Sequence, residues 1–234
     1  MLKAITFDCW GTLVDIHHDL KAQRLAYLAQ TLGCSEAEAL AAFEQSWGVY
    51  RQATAEGLGL APTMLLNHTL GHLGRALRPP DYARVLHFWE EQLLDDPPEL
   101  LPGAASVLQD LARQGYRLGL ISDTGVTPGR VLRRLLAQYG LLAQFDWLTF
   151  SDQMGVAKAH PLAFHATCAA LGVRPAEALH VGDSPHADID GAHRAGLRAA
   201  LLLENSHRDW GRDRADLVLE RLVDLPEALA TLDD

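Results

Sequence analysis

From Gly103 to Glu220 the chain changes its hydrophobic period again and again, and this alternation constrains the fold more than any other feature. Apolar residues at helical spacing mark segments near Gly103 to Gln114, Pro128 to Tyr139, Pro161 to Leu171 and Asp188 to Ala195. Between them lie short aliphatic runs near Tyr116 to Ile121, Asp146 to Phe150, Ala178 to Val181 and Ala199 to Leu203, and Asp216 to Glu220 adds a candidate edge strand. The pattern predicts an α/β fold, a three-layer Rossmann-like core in which helices cover both faces of a parallel sheet. The apolar run Leu2 to Phe7 has to join the same sheet, although a long segment separates it from the other strands.

That segment is helical in period. Leu25, Leu28, Ala29 and Leu32 fall at i, i+3, i+4 and i+7, as do Tyr82, Val85, Leu86 and Trp89. Ser35 and Glu38 are spaced as a capping box, Pro62 suits a first turn, and Asp81 after Pro79-Pro80 reads as an N-cap. The block closes at Asp95-Asp96-Pro97-Pro98, where neither a helix nor a central strand can continue. The expected organisation is a core domain of 1–14 and 99–234 with an all-helical cap domain, 15–98, inserted after the first strand.

A chain of 234 residues, 48% of them hydrophobic, can bury a full core. Its net charge of -10, without any run of Lys or Arg, argues against nucleic acid or an anionic membrane as a partner. Met1 leads straight into the first apolar run, so neither a signal peptide nor a transmembrane span is read, and a cytoplasmic location is expected. Cys9, Cys34 and Cys168, odd in number and without metal-like spacing, fit reduced thiols. The expected partner is a small anionic molecule, met by a monomer or homodimer.

An open parallel sheet binds ligands at the carboxyl ends of its strands. Four such ends are polar here: Asp8; Ser122-Asp123-Thr124; Lys158; and Gly182-Asp183 followed by Asp188. Asp8, at the end of AITFD and before the break at Gly11, is the candidate nucleophile. An attacking carboxylate and a phosphate dianion repel, so the site needs a cation. Asp8 and Asp183 are candidates to share Mg2+, a hard ion that takes carboxylates, substrate oxygens and water. Lys158 adds a fixed positive charge, Ser122 and the turn amides offer hydrogen bonds to phosphate, and Asp188 is a candidate either for the metal site or for orienting Lys158.

In order, FDxxGTLxD at Asp8, Ser122, Lys158 and the GDxxxxD of Asp183 and Asp188 resemble motifs I to IV of the haloacid dehalogenase-like (HAD) superfamily. The helical insertion matches the cap position of the subfamily that includes haloacid dehalogenases and phosphoglycolate phosphatase-like enzymes. The resemblance implies a Mg2+-dependent hydrolase working through an aspartyl-phosphate on Asp8, with Asp8, Lys158 and Ser122 catalytic. It also implies Ser122, Asp123, Thr124 and Trp10 at the substrate, and Asp8, Asp183, Asp188 and the Trp10 carbonyl at the metal.

Trp10 departs from the phosphatase pattern, which has a second aspartate there to protonate the leaving oxygen and activate water; an indole does neither. Haloacid dehalogenases have an aromatic residue at that place but work without metal and lack a GD-type fourth motif. The favoured expectation is therefore a phosphatase acting on small phosphorylated metabolites, the Trp10 ring lining the pocket or packing between core and cap. Two alternatives stay open: a 2-haloacid dehalogenase with an ester on Asp8, and a non-catalytic binding protein. His17, His18, His160 and His186 are candidates to replace the missing acid, and Arg24 and Arg51 of the cap are candidates to meet an anionic substrate.

Overall fold

The computed structural model describes residues 1–15, 19–204, 209–230 and 232. Strand β1 (Ala4–Phe7) leads into four helices, α1 (Asp19–Leu32), α2 (Glu36–Ala55), α3 (Pro62–His72) and α4 (Pro79–Glu91). There follow α5 (Ala104–Arg113), β2 (Arg117–Ser122), α6 (Gly129–Gln138), β3 (Trp147–Phe150), α7 (Ser151–Met154), α8 (Leu162–Leu171) and β4 (Ala178–Gly182). A short α9 (Gly191–Arg194), β5 (Arg198–Leu202), β6 (Leu217–Leu219) and α10 (Leu225–Leu229) complete the described strands and α-helices.

The six strands form one parallel sheet in the order β3-β2-β1-β4-β5-β6, with the expected edge strand in last place. Side chains alternate across it with the period of two that strands impose. Ile5, Phe7, Leu179 and Val181 face α5, α6 and α10, while Ala4 and Ala178 face α8 and α9. Both faces are covered, which is why the strands read as apolar runs and not as alternating ones. The strand order reverses direction at β1 and β4, so the crevice for a ligand opens between their carboxyl ends.

The helices α1 to α4 enclose a small core of their own, built from Leu25, Leu28, Phe43, Leu66, Leu70, Val85 and Trp89. Two chain segments join this block to the sheet side by side. The Asp15 N–H donates to the Glu99 carbonyl at 2.9 Å, and the Leu101 N–H to the Leu13 carbonyl at 2.9 Å. No described helix is long and apolar enough to cross a membrane.

Two local expectations are corrected. Arg78, not Asp81, is the N-cap of α4, because Pro79 and Pro80 fill the first turn where no amide donor is required. Asp81 instead pairs with Arg78 at 3.0 Å and Arg84 at 2.5 Å. Asp188 does not begin a regular helix: residues Pro185–Asp190 form a wide π-turn capped by the Ser184 hydroxyl, and the α-helical part starts only at Gly191. The widened turn carries the Asp188 side chain back beneath β4, where it is fully buried.

Candidate active site

Asp8 follows β1, Asp123 follows β2 and Asp183 follows β4, so the sheet brings three carboxylates from separate stretches of sequence to one edge. Two glycines allow the approach. At Gly11 (φ 74°) a Cβ would lie 3.1 Å from the Asp183 carboxyl carbon, and at Gly182 it would lie 2.2 Å from that of Asp188. Lys158 links these ends. Its Nζ donates to Asp8 Oδ1 at 2.6 Å and to Asp188 Oδ1 at 2.6 Å, while its backbone N–H donates to Asp123 Oδ1 at 3.1 Å.

Lys158, Asp8 and Asp188 are all buried. Burial disfavours the Lys158 ammonium, but Asp188 and Asp8 more than offset this and hold its pKa well above the ordinary lysine range. Burial also pushes the Asp8 carboxyl upward; Lys158 opposes that, and the nearby Asp188 and Asp183 reinforce it. Asp188 goes the other way: burial would raise it, but Lys158 and His180 keep it below the usual carboxylate range. Oxygens of Asp8, Asp183 and Asp188 lie within 4.8 Å of one another. Three carboxylates against one ammonium leave an excess of negative charge among hard oxygen donors, a set suited to a divalent cation. The hydroxyls of Ser122 and Thr12 are buried without a partner among the described residues, as oxygens awaiting a ligand would be.

One member of this cluster escapes a reading of sequence. His180, in the middle of β4, is fully buried, with Nε2 3.1 Å from Asp188 Oδ1, Nδ1 2.9 Å from Thr6 Oγ1 and its ring edge-on to Phe164. Asp188 is ionised and only accepts, so His180 Nε2–H donates to it; burial keeps the imidazole neutral, and the Thr6 hydroxyl donates to Nδ1. Together with the Ser184 N–H, which donates to Oδ2 at 2.8 Å, this fixes the carboxylate that fixes Lys158. The available signal was a lone imidazole in an apolar strand two residues before Gly182-Asp183.

Above this floor lies a cavity of about 570 Å³, lined by Asp8, Lys158, Asp123, Thr124 and Asp183 below and by residues of α1 and α2 above. Trp10 lines it and also packs against the sheet's core. The cap contributes Arg24, Lys21, Arg51, Phe43, Trp47 and Tyr50. Tyr50 binds cap to core, its hydroxyl accepting the Gly125 N–H at 2.9 Å. Lys21 is paired with Glu44. His160 and His186 are not among the lining residues; His160 Nδ1 accepts the Leu162 N–H, and His186 stands 3.6 Å from Asp190. His17 and His18 lie outside the described residues.

A sequence profile described as haloacid dehalogenase-like hydrolase matches residues 2–196. The chain is 33% identical to the phosphoserine phosphatase of Thermus thermophilus over 73% of this chain and 65% of that protein. It is 31% identical to the glyceraldehyde 3-phosphate phosphatase of Pyrococcus furiosus over 55% of this chain and 54% of that one. The chain thus spans between half and two thirds of the length of these relatives. Against phosphoglycolate phosphatase 1 of Pseudomonas aeruginosa it is 29% identical over 95% of this chain and 78% of the other. Among solved structures, a HAD phosphatase from Thermococcus onnurineus superposes with a TM-score of 0.74 at 27% identity, covering 97% of this chain and 98% of its own. The fold is also that of a 2-haloacid dehalogenase from Pseudomonas syringae pv. Tomato DC3000, at a TM-score of 0.72, 24% identity and coverage of 99% and 100%.

Proposed function

Because the chain belongs to the haloacid dehalogenase-like hydrolase family, we propose that it is a Mg2+-dependent phosphatase that hydrolyses small phosphate esters by way of an aspartyl-phosphate on Asp8. The observation that carries this reading is the buried cluster of Asp8, Lys158, Asp183 and Asp188 at the crevice between β1 and β4. The carboxylates of Asp8, Asp183 and Asp188 and the Trp10 carbonyl suit Mg2+, which when bound would screen the negative charge that nucleophile and phosphate bring together.

An Asp8 oxygen attacks phosphorus, forming a new P–O bond as the ester bond breaks and its electron pair leaves on the substrate oxygen. Lys158 orients Asp8 and stabilises the charge on the phosphoryl oxygens, and it is itself held by Asp188 and His180. The unpartnered Ser122 hydroxyl donates to a phosphoryl oxygen. Water then attacks phosphorus as the bond between phosphorus and the Asp8 oxygen breaks, its proton passing to solvent, which releases phosphate and restores Asp8. With Trp10 in place of an acid, the leaving oxygen takes its proton from solvent, so aryl and acyl phosphates should turn over faster than alkyl ones.

A second reading is favoured by the aromatic Trp10: attack of Asp8 on the carbon of a 2-haloacid, with halide leaving unprotonated. A panel of phosphate esters, an acyl phosphate and 2-haloacids, each with Mg2+ and with EDTA, separates the two. Phosphate release abolished by EDTA supports the first; halide release that persists in EDTA supports the second.

A further inference from the structure

Arg24 and Arg51 both line the cavity without an ion pair among the described residues, but Arg51 is exposed and Arg24 is half-buried. Arg24 lies on α1, and burial depresses its guanidinium to about 10. Its one side-chain hydrogen bond among the described residues is a long one, Nη2 donating to Thr127 Oγ1 at 3.3 Å, and Nε is buried without any partner. No described carboxylate comes within ion-pair distance of it, whereas Lys21, one turn earlier on the same helix, has Glu44. A cation held partly out of water without an anion is costly, so an apolar side chain of similar length would fill the same space more cheaply.

The surroundings limit what can supply that anion. Phe43 and Trp47 stack at 5.9 Å, and Trp47 and Tyr50 at 4.9 Å, making a continuous aromatic wall on α2; Trp10 is a further aromatic lining residue. A cavity of about 570 Å³ falls within the range of about 300–1,000 Å³ typical of pockets for drug-sized molecules, well beyond what a two- or three-carbon acid requires.

We propose that Arg24 binds a second oxyanion, a carboxylate, on the leaving group of the substrate, and that a flat or apolar body between carboxylate and phosphate packs on the aromatic wall. The substrate class is thus an aryl-like phosphate monoester bearing a carboxylate. This rests on the phosphatase reading for turnover, though not for binding. A carboxylate would answer the unpaired guanidinium with a bidentate ion pair, which no neutral ester provides.

The test uses aryl and alkyl phosphates that carry a terminal carboxylate at increasing separation, each compared with its own methyl ester so that leaving groups stay matched. In the wild-type protein with Mg2+, at least one acid should exceed its ester in kcat/KM by about 10- to 100-fold, mainly through KM. In Arg24→Gln that ratio should collapse to within about threefold of one. Equal rates for every acid and ester in the wild type, an arm that needs no variant, would overturn the proposal and leave the phosphatase reading intact. A preference that survives in Arg24→Gln would also overturn it. Direct binding of the corresponding hydroxy acids, measured calorimetrically, covers the remaining case: if nothing is hydrolysed but the acids bind wild type and not Arg24→Gln, the subsite stands and the phosphatase reading falls. If nothing is hydrolysed and the acids do not bind, both fall.

Discussion

On the core side of the cavity Lys158 sits 2.6 Å from each of Asp8 and Asp188, and Asp188 has two further donors in His180 and Ser184. On the cap side Arg24 has, among the described residues, one hydroxyl at 3.3 Å and a buried nitrogen with no partner. Both regions hold a cation away from bulk water, Lys158 fully and Arg24 in part, but only the first surrounds it with anions. The difference teaches a division of labour. Groups at the strand ends bond to one another and hold their geometry before a substrate arrives, as chemistry at a fixed point requires. The charge on the cap helix is left for the substrate to complete, so the floor sets the reaction and the roof sets its object.

The largest expected effect tests the floor's chemistry. Asp8→Asn should lower turnover of any substrate at least about 10³-fold while leaving the protein folded, as steady-state rates and circular dichroism would record. Next comes stability, where the two regions should part. Lys158→Met leaves Asp8 and Asp188 buried without their cation and should cost about 3–5 kcal/mol in urea unfolding, whereas Arg24→Met should be neutral or stabilising. Equal losses at both positions would erase the contrast.

Trp10→Asp should raise kcat on alkyl phosphates by about 10²-fold or more, and by less on aryl phosphates, because it restores a proton donor to the leaving oxygen. His180→Leu should cost about 1–3 kcal/mol by removing a donor from fully buried Asp188, and His180→Gln, which keeps an N–H, should recover part of it.

The smallest effect belongs to the contact between α4 and α6, where Arg130 and Arg134 of α6 pair with Glu91 of α4 and hold its carboxyl below the ordinary glutamate range. A depressed carboxylate contributes stability above its unfolded pKa of about 4.3 and loses it as pH falls through the lower folded value. The difference in urea midpoint between wild type and Glu91→Gln should therefore be steady from about pH 6 to 8 and diminish as pH falls below the unfolded value, and added salt should shrink it.

The sheet, its edge strand and the strand-end carboxylates were legible because a buried parallel strand has a plain signature: an apolar run, then a polar residue and a glycine, as at Phe7-Asp8 and Val181-Gly182-Asp183. Rules that look only at neighbours failed where distant parts of the chain decide. Asp188 opens a segment that reads as a regular helix, yet it lies in a π-turn and bonds to Lys158 and His180. His180 went unremarked because a strand tolerates one polar residue if a partner waits on the next element, and that partner, Asp188, is defined only by the fold. Arg24 was named as a candidate, but a helical arginine facing solvent and one facing a cavity have the same letters around them. Only the packing of α1 over the sheet distinguishes the two.

Trp10 gives the most direct test of covalent catalysis by Asp8. The residue missing at that position would also activate the water that clears the aspartyl-phosphate, so the intermediate should accumulate. Rapid mixing with an aryl phosphate and Mg2+, acid quenching and mass spectrometry of peptides should reveal a phosphoryl group on Asp8, formed in a burst before steady turnover and absent from Asp8→Asn. Phosphate release with Asp8 unmodified at every quench time, or undiminished in Asp8→Asn, would contradict it.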